Sequence, residues 1–172
     1  INGLTNLSHP CQIMSDIMTF EELKGPIENK KIAWLGDGNN IVYSLIEASV
    51  QFNFQLAIAS PKKFEPNKKI IKWAKNKKAK ILITGDPEEA VSESDCVMTD
   101  KWISMGDKVN KNKKKKLLKL YQVNKKIMKL AKKDAIFMHC LPANRGEEVT
   151  NDVMDGKQSV VWLEALNRIH MQ

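Results

Sequence analysis

Short apolar segments alternate with segments of helical spacing along most of the chain, and this alternation constrains the fold more than any other feature. Six segments have the composition and flanks of strands, namely 31–35, 55–59, 80–84, 96–99, 136–139 and 159–162. Four others carry helical periodicity, namely 41–52, 67–77, 88–93 and 113–132, the last with a break expected near Gln122. Parallel neighbouring strands need such crossover helices. The pattern therefore predicts an α/β fold, with a doubly wound, mostly parallel sheet and helices on both faces.

Two further helices are expected outside this alternation. Pro10 suits the first turn of a helix that ends at Gly25-Pro26, and residues 163–172 also have helical spacing. We therefore expect three parts: an interdomain helix within 1–24, an α/β domain over 25–162 and a C-terminal helix over 163–172. The chain reaches its first motif almost at once, so both end helices are expected to pack on a domain outside these residues.

Composition narrows the class of protein. With 172 residues, 42% of them hydrophobic, the chain can bury a core of ordinary domain size. No apolar run approaches the roughly 20 residues that span a bilayer, and no secretory signal pattern opens the sequence. Neither membrane insertion nor export is therefore expected. Three cysteines without a Cys-x-x-Cys pair argue against a disulfide scaffold and a thiolate zinc site, so a cytoplasmic location is the simplest expectation.

The net charge of +8 comes mainly from lysine, which is concentrated in the segment 111–116. A nucleic-acid interface is one interpretation, but such interfaces usually combine lysine with arginine and aromatic residues. A solvated helix surface is the simpler interpretation, and no nucleic-acid partner is expected. Only two of the 28 basic residues are arginine, Arg145 and Arg168. Because a guanidinium can bind an oxyanion or carbonyl with two hydrogen bonds, both are candidate site residues, with an ordinary salt bridge as the alternative for Arg145.

The segment Gly-Asp-Gly-Asn-Asn at 36–40 follows the first predicted strand and opens a helix. Ligands of parallel α/β sheets bind at the carboxyl ends of strands, so this turn is a favourable position. It is a poor dinucleotide fingerprint, because Ile41 stands where the third glycine would be and no acidic residue ends the second strand. Asn39 and Asn40 offer the donors and acceptors that a zwitterionic amino acid requires. Capping of the following helix is the alternative for one of them.

Two more motifs are expected at strand ends. The segment Asp-Lys-Trp-Ile-Ser-Met-Gly at 100–106 places a carboxylate that could hold an amine, or merely cap a turn. The segment His-Cys-Leu-Pro at 139–142 places Cys140 at the end of a buried strand. Because adjacent residues on a strand point to opposite faces, His139 and Cys140 are not expected to hydrogen-bond or to chelate a metal together. No metal site is expected, and a buried inert cysteine is the alternative for Cys140.

Taken together, five motifs resemble the ornithine carbamoyltransferase family in order and approximate spacing. They are His-Pro-Cys-Gln at 9–12, the three segments at 36–40, 100–106 and 139–142, and Asn-Arg at 167–168. Ser-Met-Gly at 104–106 is the discriminating motif, because the aspartate and putrescine relatives differ there. The resemblance extends over essentially the whole chain. It implies a Rossmann-like second domain, the ornithine-binding half of such an enzyme, without the carbamoyl-phosphate domain.

The resemblance also implies roles for individual residues. Ornithine would be bound by Asn40, Asp100, Ser104 and Met105. Carbamoyl phosphate would be bound by His9, Gln12, Cys140, Leu141 and Arg168. The expected catalytic residues are Cys140, Arg168 and His9. Cys140 would act either as a proton acceptor or, as a thiolate, through its charge on the ornithine amine.

The implied reaction transfers the carbamoyl group of carbamoyl phosphate to the side-chain amine of L-ornithine, giving citrulline and phosphate without a cofactor. The implied assembly of the whole enzyme is a homotrimer. The family's Ser-x-Arg-Thr-Arg phosphate-binding motif is absent, so the chain alone is expected to be inactive. Asn144 and Leu166 also depart from the residues usual in the family. Two alternatives remain: a carbamoyltransferase for another amine, and a non-catalytic Rossmann-like ligand-binding module.

Overall fold

The computed structural model describes residues 2–103 and 110–172. Its strands are Lys31–Leu35 (β1), Gln55–Ala59 (β2), Ile81–Thr84 (β3), Cys96–Thr99 (β4) and Ile136–His139 (β5). Its α-helices are Pro10–Lys24 (α1), Asn40–Gln51 (α2), Lys68–Asn76 (α3), Pro87–Val91 (α4), Lys111–Leu118 (α5), Lys125–Met128 (α6), Asn151–Met154 (α7) and Val161–Met171 (α8). Short 3-10 turns lie at Lys62–Phe64 and Lys119–Tyr121.

The strands form one sheet in the order β3-β2-β1-β4-β5, and every pair of neighbours is parallel. The predicted doubly wound α/β fold is therefore confirmed. From β1 the chain first builds β2 and β3 on one side, and then crosses over to build β4 and β5 on the other. The strand order thus reverses between β1 and β4. The crevice outside the carboxyl ends of these two strands is where such sheets bind ligands.

Strand residues alternate between two apolar layers, one on each face of the sheet. Ala33 and Leu35 of β1 pack in one layer with Phe137 of β5, while Ile32 and Trp34 pack in the other. A parallel sheet covered by helices on both faces needs strands that are apolar on both sides. This requirement explains why the strand segments read as short apolar runs without polar alternation.

The sixth predicted strand, at 159–162, is wrong. Ser159 makes only an isolated parallel bridge to Phe137, and α8 already begins at Val161. Val161 is buried and its neighbour Trp162 is exposed, because from this point the apolar residues follow helical spacing. The C-terminal helix therefore starts two residues before the predicted position 163.

The long helical segment predicted for 113–132 is divided, and the break near Gln122 is confirmed because α5 ends at Leu118 and α6 begins at Lys125. The interpretation of the lysine run as a solvated surface is wrong for Lys114, which is buried. Its ammonium group lies 2.6 Å from Asp37 Oδ2 and 5.3 Å from the centre of the Phe64 ring. This part of the run is thereby tied to the loops beyond β1 and β2.

The helices at the two ends of the chain, α1 and α8, pack against each other beside the sheet. Their interface contains buried polar groups, which are described with the site below. Trp162, Leu166 and Ile169 of α8 are exposed. Within the described ranges, no helix combines the length and the apolar composition that crossing a membrane requires.

Candidate active site

Polar side chains meet at the carboxyl ends of three neighbouring strands, β1, β4 and β5. The side-chain amide of Asn39, just beyond β1, donates to Asp100 Oδ2 over 2.7 Å, and Asp100 directly follows β4. The backbone N–H of Lys101 donates to the other carboxylate oxygen, also over 2.7 Å. The sulfur of Cys140, beyond β5, lies within 4.8 Å of an oxygen of Asp100. Asp100 is thus the centre of the polar groups at the crevice where the strand order reverses.

In the glycine turn after β1, the N–H groups of both glycines are occupied by protein carbonyl groups rather than free for an anion. Gly36 and Gly38 donate their N–H groups, over 3.0 and 2.8 Å, to carbonyl oxygens at the end of β2 and in the segment after it. Asn39 accepts the first free N–H groups of α2 over 3.1 and 3.3 Å. A Cβ at Gly38 would lie 2.5 Å from the carbonyl oxygen of Phe64, so only glycine allows this close approach. These internal contacts argue against the nucleotide-binding interpretation of the turn.

The two asparagines of this turn have different partners. Capping of α2 is confirmed for Asn39, whose amide nitrogen remains available for Asp100. The amide nitrogen of Asn40 instead donates to the carbonyl oxygen of Thr5 over 2.8 Å. Sequence reasoning favoured Asn40 as the ligand contact, whereas Asn39 is the one joined to Asp100. The contact of Asn40 with ornithine stays a prediction.

His9 immediately precedes α1 and is buried. Its backbone N–H donates to Ser44 Oγ over 2.8 Å, and its ring Nδ1 has no hydrogen-bond partner among the described residues. Burial lowers the pKa of His9, and the positive charge of Arg168 lowers it further. The ring is therefore neutral at neutral pH, with one nitrogen that donates and one that accepts.

Cys140 is a thiol rather than a thiolate. Burial raises the pKa of Cys140 well above its ordinary value, and the negative charges of Asp100, Glu164 and Asp16 raise it further. Both roles that the sequence left open for this residue, proton acceptor and thiolate, require a deprotonated sulfur, so the raised pKa disfavours both. The inert-cysteine alternative assumed apolar surroundings, whereas the sulfur lies within 4.8 Å of ligand atoms of Asp100 and His139.

The expectation that His139 and Cys140 point apart is wrong. Their donor atoms and one oxygen of Asp100 all lie within 4.8 Å of one another, because β5 ends at His139 and the chain then turns through Leu141, at φ +48°. By distance alone this set could hold a metal ion. Nδ1 of His139 is already used in a hydrogen bond, however, and Nε2, which makes none among the described residues, lies beside a carboxylate. Nδ1 accepts the Leu141 N–H over 3.0 Å, and Nε2 lies 3.4 Å from Glu148 Oε1, so we assign no metal to this set.

A cleft of about 650 Å³ lies between the turn after β5 and helix α8. Cys140 and Leu141 line it from the turn, and Arg168 lines it from the helix. Its volume is in the range of small-molecule sites. Arg145 lines the same cleft, but its guanidinium pairs with Asp155 through two hydrogen bonds of 2.5 and 2.8 Å. The salt-bridge alternative is thus confirmed for Arg145, with a partner different from its sequence neighbours.

Beside the cleft, three polar side chains are buried where α1 meets α8. Gln12 Nε2 donates to Asp16 Oδ1 over 2.7 Å and to Glu164 Oε1 over 3.3 Å. Glu164 Oε2 accepts the backbone N–H of His139 over 2.8 Å. Burial raises the pKa of Asp16 to about 7, and burial followed by the charge of Asp16 raises the pKa of Glu164 well above its ordinary value. Both groups therefore hold protons at a pH where exposed carboxyl groups are ionised.

Sequence reasoning missed Asp16 and Glu164, although one signal for the first was present. Asp16 stands one helical turn after Gln12, on the same face as Ile13 and Ile17. A carboxylate on an otherwise apolar face indicates a buried polar partner. The identity of that partner, a residue near the other end of the chain, had no local signal.

The remaining predicted residues lie close to this cleft or outside the described part of the chain. Arg168 and Asp100 both act on the pKa of His9, which places the three groups near one another. Ser104 and Met105 fall outside the described residues. Their predicted contacts with ornithine stay predictions.

The sequence and the fold match a known protein family. The family model for the Asp/Orn binding domain of aspartate/ornithine carbamoyltransferase matches residues 28–172. The chain belongs to the aspartate/ornithine carbamoyltransferase family. Two bacterial relatives of this name match it over all 172 residues: the ornithine carbamoyltransferases of Rhodopseudomonas palustris, 58% identical, and of Nitrobacter winogradskyi, 54% identical. The chain spans about half the length of these carbamoyltransferases, 55% and 56% respectively.

Solved carbamoyltransferase structures have the same fold. The ornithine carbamoyltransferase of Pyrococcus furiosus superimposes with a TM-score of 0.92 at 44% identity, over 99% of this chain and 56% of that one. The anabolic ornithine carbamoyltransferase of Campylobacter jejuni superimposes with a TM-score of 0.93 at 36% identity, over 99% of this chain and 58% of that one. The five-stranded parallel sheet is therefore the ornithine-binding domain architecture of carbamoyltransferases.

Proposed function

We propose that this chain supplies the ornithine-binding part of an enzyme that transfers the carbamoyl group of carbamoyl phosphate to the side-chain amine of L-ornithine. One observation carries the proposal: Cys140, Leu141 and Arg168 line a single cleft, and an oxygen of Asp100 lies within 4.8 Å of the Cys140 sulfur. A guanidinium thus lines a cleft that has room for a small substrate, and a carboxylate with its polar neighbours lies beside it. The relatives named ornithine carbamoyltransferase support the choice of substrates.

The proposed reaction forms a bond between the amine nitrogen and the carbamoyl carbon, breaks the bond from that carbon to a phosphate oxygen, and transfers one proton from the amine to the departing phosphate. Negative charge develops on the carbamoyl oxygen in the tetrahedral intermediate. Arg168 is suited to this oxygen because its planar donors can bind it with two hydrogen bonds. His9 is neutral and can donate one N–H to the same oxygen. Alignment of the two substrates supplies much of the remaining rate.

Asp100 is suited to an amino group of ornithine. Its two oxygens are held by Asn39 and by the N–H of Lys101, and each carboxylate oxygen keeps a further lone pair for a ligand. A carboxylate held in this way needs little rearrangement when it meets an ammonium group. The proposal assigns the other ornithine contacts to Asn40, Ser104 and Met105.

The contacts with the carbamoyl group are assigned to Gln12, Cys140 and the Leu141 carbonyl, beside His9 and Arg168. Because Cys140 carries its proton, it contributes a hydrogen bond rather than a negative charge. The rest of the carbamoyl-phosphate site would come from the part of the relatives that this chain does not match. A cytoplasmic homotrimer without a cofactor is proposed for the whole enzyme on the strength of the family resemblance.

The test is citrulline formation by a fused enzyme, in which these 172 residues are joined to the part of the Rhodopseudomonas palustris relative that they do not match. We expect turnover of L-ornithine with carbamoyl phosphate, and little or none with L-aspartate or putrescine. The relative itself, assayed in parallel, controls for the conditions. Faster carbamoylation of aspartate or putrescine would overturn the substrate assignment. A correctly folded fusion that carbamoylates none of the three would overturn the catalytic proposal.

A further inference from the structure

A chain of hydrogen bonds runs from the side chain of Gln12 to the end of β5 through two buried carboxyl groups. Gln12 Nε2 donates to Asp16 Oδ1 over 2.7 Å, the carboxyl groups of Asp16 and Glu164 bond to each other, and Glu164 Oε2 accepts the His139 N–H over 2.8 Å. The side chain of Gln12 also lies 3.3 Å from Glu164 Oε1. The exposed fractions of Gln12, Asp16 and Glu164 are 0%, 3% and 1%.

One shared proton satisfies this chain. Two ionised carboxylates would repel each other in a site without water, so at least one of them is protonated. If Glu164 donates that proton to Asp16 Oδ2, it gives a partner to an oxygen that has none among the described residues. The charged groups that act on the pair are Arg168, which favours the ionised form, and Asp100, which opposes ionisation of Asp16. The pair therefore carries about one negative charge above neutral pH.

This arrangement decides which end of the Gln12 amide is free. Because Asp16 accepts hydrogen bonds, the amide nitrogen of Gln12 turns toward it, and Gln12 Oε1 is left buried without a partner among the described residues. A buried carbonyl oxygen of this kind recognises an N–H donor. The carbamoyl group of the proposed substrate ends in an NH₂ group that can supply one.

We propose that Asp16 and Glu164 are positioning residues, which hold the Gln12 amide with its oxygen toward the carbamoyl NH₂ of the substrate; this inference rests on the proposed function. Neither carboxyl group needs to touch the substrate in this role. What they provide is a fixed order of donors and acceptors from the end of β5 to Gln12.

This order of donors and acceptors predicts how amide substitutions act. One substitution should leave the Gln12 amide in its orientation, whereas two together should reverse it. In Glu164→Gln, the new oxygen accepts from His139 and the new NH₂ donates to Asp16. The longer contact of Gln12 Nε2 with position 164, 3.3 Å, is lost, but the 2.7 Å bond to Asp16 keeps Gln12 in its orientation. In Asp16→Asn, the new oxygen accepts from Gln12 and the new NH₂ donates to Glu164, so Gln12 again keeps its orientation. In the double variant, the amide at position 164 accepts from His139 with its oxygen, so its NH₂ must donate to the amide oxygen at position 16. The NH₂ at position 16 then meets Gln12 Oε1, and the Gln12 amide reverses and presents its own NH₂ to the substrate.

Steady-state kinetics of the fused enzyme test this prediction. We expect each single variant to keep kcat/KM for carbamoyl phosphate within about threefold of the parent. We expect the double variant to lose at least about tenfold, because a hydrogen bond is replaced by two opposed donors. Its melting temperature should stay near that of the single variants, since every buried group in the reversed chain is paired. Two exposed carboxyl groups replaced together, Asp152→Asn with Glu47→Gln, form the matched control and should change neither quantity.

A second measurement is independent of catalysis. In the 172-residue chain, the Gln12 side-chain NH₂ protons should exchange slowly with solvent in the parent and in both single variants, and should shift and exchange faster in the double variant. If the fused parent makes no citrulline, the proposed function fails while this measurement still decides the orientation of Gln12. Four outcomes would overturn the inference. In the kinetics, these are a double variant within about threefold of the parent, or single variants as impaired as the double variant. In the other measurements, they are an unfolded double variant or unchanged Gln12 resonances.

Discussion

Replacement of Asp16 by asparagine should change how the stability of the chain depends on pH. Asp16 is 3% exposed, and burial raises its pKa from 3.8 to about 7, against the opposing hydrogen bonds from Gln12 and Glu164. Each pKa unit corresponds to about 1.4 kcal/mol. The rise of about three units is therefore equivalent to about 4 kcal/mol, which is a large part of the roughly 5–15 kcal/mol by which domains are stable.

The sign follows from the direction of this change in pKa. The folded protein holds a proton on Asp16 that the unfolded chain has already released between about pH 4 and pH 7. The contribution to the free energy of unfolding is therefore fully present below about pH 4, and it is lost as the pH rises through 7. Asparagine has no such proton. The free energy of unfolding of the parent minus that of Asp16→Asn should fall by about 4 kcal/mol between pH 4 and pH 8.

Urea unfolding of the parent chain and of Asp16→Asn across this range measures the difference directly. Asp152→Asn is the matched control, because Asp152 is exposed and a hydrogen bond from Thr150 lowers its pKa. Any change with pH in the free energy of unfolding of the parent minus that of Asp152→Asn should therefore have the opposite sign. If the parent and Asp16→Asn gave parallel profiles, the carboxyl group of Asp16 would not be desolvated, and the shared proton with Glu164 would have no basis.

Three further predictions concern the proposed activity. Arg168→Lys in the fused enzyme should lose about 10² to 10³ in turnover, and a loss below about threefold would remove its guanidinium from the reacting centre. Arg145→Lys should lose little, because the parent side chain is bonded to Asp155 and Asn151. Asp100→Asn should lower kcat/KM for ornithine by roughly ten to a hundredfold, the equivalent of about 1.5–3 kcal/mol, and should leave the melting temperature nearly unchanged. Asp86→Asn, at the cap of α4, is the control and should leave kcat/KM for ornithine unchanged. Unchanged kinetics with a lowered melting temperature would make Asp100 structural only. The chain assayed by itself should form no measurable citrulline, and turnover at a rate typical of enzymes would refute the need for a second domain.

The predictions made from the sequence failed at the carboxyl end of β5 and at the start of α8. The apolar residues near 160 fit a strand as well as a helix, and only the packing of α8 against α1 decides for the helix. His139 and Cys140 were expected on opposite faces, but strand alternation no longer applies where the chain turns at Leu141. Both errors arise because a local pattern cannot reveal where a regular element stops.

The sequence by itself determined the doubly wound sheet and the placement of three motifs at its carboxyl edge, because helical and strand periodicity and turn residues act over a few positions. It also selected Cys140, Leu141 and Arg168, which the structure places along one cleft. Only the tertiary structure decided which groups share protons. Gln12 and Glu164 are 152 positions apart, and they meet because α1 and α8 pack together. The pKa of a carboxyl group or thiol depends on how completely distant elements exclude water from it, and this property is absent from any local segment.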